Sequence, residues 1–102
     1  MVNILGTEYE VLWKTETEDE EIKERDGYTD FSNKVICIRS ESDEYIQKKT
    51  IRHEVIHAFL YESGLDENTF TVSMWARNEE MVDWFAIQAP KIVQVCQELN
   101  AL

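Results

Sequence analysis

The sequence predicts an α+β domain, a small N-terminal sheet of three to four strands packed on two long helices. Three observations predict it. Apolar and charged residues alternate early in the chain, and a continuous apolar run, Val35-Ile36-Cys37-Ile38, follows. From Asp43 to Ser63, and again from Glu79 onward, the apolar spacing changes to three and four, the period of a helix. Finally, 102 residues have room for one modest core, so strands and helices belong to a single domain, 1–102.

Residues 2 to 15 read as strand, because Tyr9, Val11 and Trp13 alternate with Glu8, Glu10 and Lys14. Gly6 marks a turn or bulge within that stretch, and the three aromatic and aliphatic residues are expected to face the core. Residues 16 to 26 carry one apolar residue among many charges, which predicts a solvated loop or a frayed helical turn. A calcium loop is not expected there, since the ligand spacing and central glycine of an EF-hand are missing. After the Asp26-Gly27 turn signal, Tyr28 to Phe31 reads as extended. Ser32-Asn33 connects it to Lys34–Arg39, whose apolar run suits a strand covered on both faces. An edge of this sheet could offer backbone groups to an extended peptide.

Ser40 and Ser42 are the candidate N-caps of the first helix, with Asp43 and Glu44 in its first turn and Gly64 just beyond its end. Ile46, Thr50, His53, His57 and Tyr61 fall along one stripe of it. Residues 65 to 78 are expected to form a loop, with a short strand as the alternative; Trp75 and Arg77 lie near its end. Asn78 is placed to cap the second helix, whose stripe is Met81, Trp84, Phe85, Gln88, Ile92, Cys96 and Leu99. Pro90 is expected to kink or interrupt that helix by removing one hydrogen bond and crowding the carbonyl of Ala86.

Composition narrows the function. A net charge of -11 argues against nucleic acid and anionic membrane as partners. No apolar run is long enough to span a bilayer, and Met1–Gly6 lacks the features of a signal peptide, so a cytoplasmic protein is expected. Cys37 and Cys96, far apart in sequence, read as buried thiols.

Both histidines of the chain fall in His53-Glu54-Val55-Ile56-His57. Four residues apart on a helix they share a face, so both imidazoles can reach one metal ion. Glu54 beside them is placed to take a proton from water. Otherwise the pair is simply two histidines on an amphipathic helix. Catalytic zinc commonly takes three protein ligands, and with no third histidine an acid is required. Glu79 is the first choice, Glu80 its main rival, and Asp66 a further one. Asp83, one turn after Glu79, could accept a hydrogen bond from the free ring nitrogen of a ligating histidine. Alternatively Glu79, Glu80 and Asp83 are N-terminal helix acids that favour the dipole.

His53-Glu54-Val55-Ile56-His57, followed by Asn78-Glu79-Glu80-Met81-Val82-Asp83, resembles the H-E-x-x-H plus N-E-x-x-x-D arrangement of the gluzincins, the thermolysin-like zinc metallopeptidases. The short chain brings it near the minigluzincins. Phe85-Ala86 and Pro90 are loosely similar to small phage and prophage metallopeptidases and the ImmA/IrrE group. The resemblance covers Thr50 to Pro90 well, and the N-terminal strands only in the order of elements. It implies Glu79 as the third zinc ligand and Asp83 as support for a zinc histidine. Neither a metzincin-type third histidine nor the further motifs of peptide deformylase are found.

The expected activity is therefore that of a zinc-dependent metallopeptidase acting on a peptide or protein. His53, His57 and Glu79 would hold Zn2+, and Glu54 would serve as general base. Tyr28, Tyr61 and Arg77 are the candidates for a further electrophile. The alternative is a zinc-binding interaction module without proteolytic activity, although metal binding alone has no need of Glu54. A third reading is a structural helix pair without metal.

Overall fold

In a computed structural model, the chain is described over residues 1–66 and 79–102, with the backbone alone at Glu79, Val82 and Ala86. Strands β1 (Val2–Ile4), β2 (Thr7–Lys14), β3 (Gly27–Asp30) and β4 (Val35–Arg39) precede helices α1 (Glu44–Glu62) and α2 (Glu79–Glu98). The fold is α+β, as the two periodicities predict. The expected loop over 65 to 78, with Trp75, Arg77 and the Asn78 cap, falls largely outside the described residues.

The four-stranded sheet has the order β1-β2-β4-β3. β1 and β2 form a hairpin, Val2 opposite Tyr9 and Ile4 opposite Thr7. Its two turn residues, Leu5 and Gly6, both have positive φ, 52° and 93°. That backbone twist matches the strands, and the Asn3 side chain accepts the Gly6 amide at 2.9 Å. β2 and β4 pair in parallel, from Glu10 with Val35 to Lys14 with Arg39. β3 pairs antiparallel on the far side of β4, so among the described residues β1 and β3 are the edges.

Of the β2 residues expected to face the core, only Tyr9 is fully enclosed. Val11 is half-buried, and Trp13 is 44% exposed because it lies near the end of the strand. β4 is covered on both faces, as its unbroken apolar run predicts. Ile36 and Ile38 belong to the main core with Tyr9, Ile51, Val55, Phe59 and Val95. Cys37 points the other way, where its thiol meets the Asp19 carboxylate, and the loop carrying the 3-10 turn Glu20–Ile22 packs on that side. Ile22, the single apolar residue of the charge run, is fully buried. Both cysteines are buried free thiols.

α1 is capped by Asp43 rather than by Ser40 or Ser42. The Asp43 side chain accepts the Ile46 amide at 2.9 Å, the usual role of an acid at this position. The helix closes as expected, with Gly64 at φ 82° and its amide bonded to the Tyr61 carbonyl at 3.1 Å. Its buried residues, Thr50, Ile51, Glu54, Val55, Ala58 and Phe59, step in pairs by four and define the face turned to the sheet. The predicted stripe is displaced from this face. Thr50 belongs to it, but His53 and His57 are exposed.

α2 runs antiparallel to α1. Trp84 Nε1 donates to Ser63 Oγ at one end (3.2 Å), and Arg52 Nη1 donates to the Ala101 carbonyl at the other (2.8 Å). Val95 and Cys96 are buried, with Trp84, Ile92 and Leu99 packed against the core, while Phe85 is exposed. The helix continues through Pro90 without interruption. It ends in paired bonds, Ala101 to Cys96 and Asn100 to Gln97, around Asn100 at φ 53°. Among the described residues, no helix is long and apolar enough to cross a membrane.

One polar knot fastens the end of α1 to the sheet. Glu62 accepts from Tyr9 Oη (2.6 Å), Thr7 Oγ1 (3.0 Å) and Lys34 Nζ (2.9 Å). Burial pushes its carboxyl up, but these three donors outweigh burial and hold it below the usual carboxylate range. Burial, and then the same contact with Glu62, push the Tyr9 phenol up. A carboxylate depressed in the folded state stabilises the fold above its ordinary pKa of about 4.3 and loses that contribution as pH falls. Glu62→Gln should therefore be less stable than wild type at neutral pH, with the gap closing on acidification. Denaturant midpoints across that range measure it, and a pH-independent gap would contradict the assignment.

β3 meets α1 where Gly27 faces Thr50. A Cβ at Gly27 would stand 2.6 Å from Thr50 Cγ2 and 2.8 Å from the Cys37 carbonyl oxygen. Gly27→Ala should cost about 1–3 kcal/mol through this overlap, seen as a lower urea midpoint. A midpoint equal to wild type would mean that β3 can step back from the helix at no cost.

Candidate active site

The geometry of α1 brings together the residues its sequence pattern singles out. His53 and His57 lie one turn apart on its exposed side, with their Nε2 atoms 3.1 Å from each other and ring centroids 4.7 Å apart. Both Nε2 atoms converge, which leaves each Nδ1 on the far side of its ring. Two nitrogens held by one tetrahedral zinc at 2.0–2.1 Å stand about 3.3 Å apart. The observed spacing is close to that edge, so the pair fits a shared zinc ion with little movement. Its exposure leaves the approach open.

Glu54 lies beside this pair but faces inward. It is only 7% exposed, the one charged residue on the buried face of α1. A buried carboxylate needs a partner, and Thr29 of β3 supplies one, its Oγ1 donating to Glu54 Oε1 at 2.8 Å. The other oxygen, Oε2, stands 3.9 Å from His53 Nε2. One carboxylate oxygen is thus tied to the sheet and the other is turned toward the imidazoles. Adjacent positions on a helix differ by about 100°, which is how neighbours in sequence come to be exposed ligand and buried acid.

Two hollows adjoin Glu54. One, of about 310 Å³, lies between Gly27, Lys49 and His53. The other, of about 240 Å³, lies between Arg25, Phe31 and His57. Among the described residues β3 is an edge strand, and it borders both hollows beside the histidine pair.

Glu79 is the first residue of α2, and its carboxylate lies outside the described residues. Glu80 and Asp83 are exposed, and Asp66 is exposed just past the end of α1. Among the described residues Asp83 hydrogen bonds neither imidazole, and no three of His, Cys, Asp and Glu are grouped as a metal would require. The structure thus assembles His53, Glu54 and His57.

Of the candidate electrophiles, Tyr28 has its hydroxyl proton engaged by Asp19, because strand alternation turns it away from Gly27 and Thr29. That bond pushes the phenol up and holds the Asp19 carboxyl below its ordinary range. The Tyr61 ring stacks on Phe31 at 4.4 Å, with Lys34 Nζ 4.8 Å from its centroid. Arg77 lies outside the described residues. Sequence reasoning missed Thr29. A threonine in a half-buried strand is ordinary, and its partner lies 25 residues away.

Comparison with protein-family models, with curated proteins and with solved structures gives no match to this chain.

Proposed function

We propose that the chain is a zinc-dependent metallopeptidase in which His53 and His57 bind the metal and Glu54 carries the proton. The observation that supports this reading best is the pairing of converged imidazole nitrogens, 3.1 Å apart, with a buried carboxylate whose second oxygen faces them. Glu79 is the proposed third ligand, drawn from the second motif, with Asp83 as support for a ligating histidine.

When bound, zinc would polarise a peptide carbonyl and make water acidic enough to ionise near neutral pH. The chain's own residues account for the rest. His53 and His57 must present unprotonated Nε2 atoms, a state that their Nδ1–H groups can stabilise through outer partners. Glu54 accepts the proton of the attacking water and passes it to the departing amine. Its burial beside two hollows leaves one carboxylate oxygen turned to the histidine side, where the water would bind. Among the described residues the outer side of β3 pairs with no strand, and an extended peptide could pair with it beside Glu54.

The test has two parts. Zinc added at a hundredfold over its Kd should stabilise the metal-free protein by about 2.7 kcal/mol, raising its thermal midpoint, and a chelator should reverse the rise. His57→Ala should abolish this response, and Glu79→Ala should weaken it. An unchanged wild-type midpoint at saturating zinc would remove the metal from the proposal.

Glu54→Gln should retain zinc while peptide hydrolysis falls by about 10²-fold or more. Turnover equal to wild type would take the proton-carrying role from Glu54. Bound zinc without hydrolysis in the wild type would favour a zinc-binding interaction module.

A further inference from the structure

Glu54 is oriented from outside its own helix. Gly27 and Thr29 are two apart in β3, so both project from one face of the strand. Thr50 and Glu54 are four apart in α1 and lie on its buried face. Two strand residues span about 6.6 Å, and four helical residues rise about 6.0 Å. The two elements therefore keep step, with Gly27 against Thr50 and Thr29 against Glu54. The missing side chain at Gly27 permits the close approach, because a Cβ there would overlap Thr50 and the β4 backbone. One turn further along α1, that approach brings Thr29 Oγ1 to 2.8 Å from Glu54 Oε1.

This bond acts on a side chain with several rotatable torsions. Among the described contacts, Thr29 is the one hydrogen-bond donor to Glu54. With Oε1 held on the strand, Oε2 is directed to the side on which the histidines lie, 3.9 Å from His53 Nε2. Without the hydroxyl, the carboxylate would be free to rotate toward solvent through the hollow beside Lys49. We propose that Thr29 is a positioning residue. From the edge strand, it locks the Glu54 carboxylate so that one oxygen is permanently presented to the histidine pair.

The catalytic consequence rests on the metallopeptidase reading, whereas the lock itself does not. Thr29→Val keeps the shape and strand preference of the side chain but removes the donor, and Thr29→Ser restores the donor. In the active protein, Thr29→Val should lower kcat about tenfold or more with KM within about twofold, since the group acts on orientation and not on substrate binding. Zinc content should not change, and Thr29→Ser should recover most of the rate. A Val variant as fast as wild type, or a Ser variant as slow as Val, would overturn the proposal.

The lock is also measured without metal or activity. In the metal-free protein, Thr29→Val should lower the thermal midpoint by about 5 °C or more. In a Glu54→Ala background the same change should have almost no effect. Additive effects in this cycle overturn the lock even in a protein that binds zinc. Coupling in a protein that neither binds zinc nor hydrolyses peptides would support the lock and defeat the metallopeptidase reading alone.

Discussion

The approach of β3 to α1 is the constraint on which the rest of the site depends. Packed interiors transmit displacements of a few tenths of an ångström, and here the separation is set by the absence of one side chain, at Gly27. β4 fixes the height of β3 through its antiparallel register, Gly27 opposite Ile38 and Thr29 opposite Ile36. β4 is in turn anchored by the core that Ile36 and Ile38 share with Val55 and Phe59 of α1. Near the histidines the sheet therefore reaches α1 through the apolar contacts of β4 and the polar contact of β3. The first provides stability, and the second places a carboxylate.

α1 divides its work by angle. Ile51, Val55, Ala58 and Phe59 bury an apolar face against sheet and helix. His53 and His57, rotated off that face, remain exposed and converge. Glu54 lies between the two regimes, enclosed by the protein yet with one oxygen turned to the histidine side. Burying a carboxylate is unfavourable, and a scaffold selected for stability alone would place an apolar residue there. The same inward turn that makes Glu54 costly to the fold lets β3 hold it.

A half-buried carboxylate on the same helix shows the contrast. Glu62 accepts from three donors on the sheet side, which occupy both of its oxygens. It closes the C-terminal end of α1 onto Tyr9 and Lys34, as a structural ion pair does. Glu54, with one donor and one open side, retains capacity to accept another proton donor. Two glutamates on one helix thus have different uses, set by how completely each is satisfied.

Much of this was legible in the sequence. Alternation in Thr7–Lys14, the unbroken apolar run of β4 and the spacing of α1 follow from periods of two and 3.6, which are local properties of the backbone. The His53-Glu54-Val55-Ile56-His57 constellation is local for the same reason, since one helical turn suffices to bring the imidazoles together. The cap of α1 is not decided by sequence, because Ser40, Ser42 and Asp43 all suit the role and geometry alone selects Asp43. Trp13 was expected to face the core, because period two says which face a residue takes but not where cover over the sheet ends. The inward turn of Glu54, its bond to Thr29 and the Gly27 contact that aligns them were decided only by tertiary structure. Each depends on residues that the chain separates by more than twenty positions, and pairing across such a gap is set by how strand and helix pack.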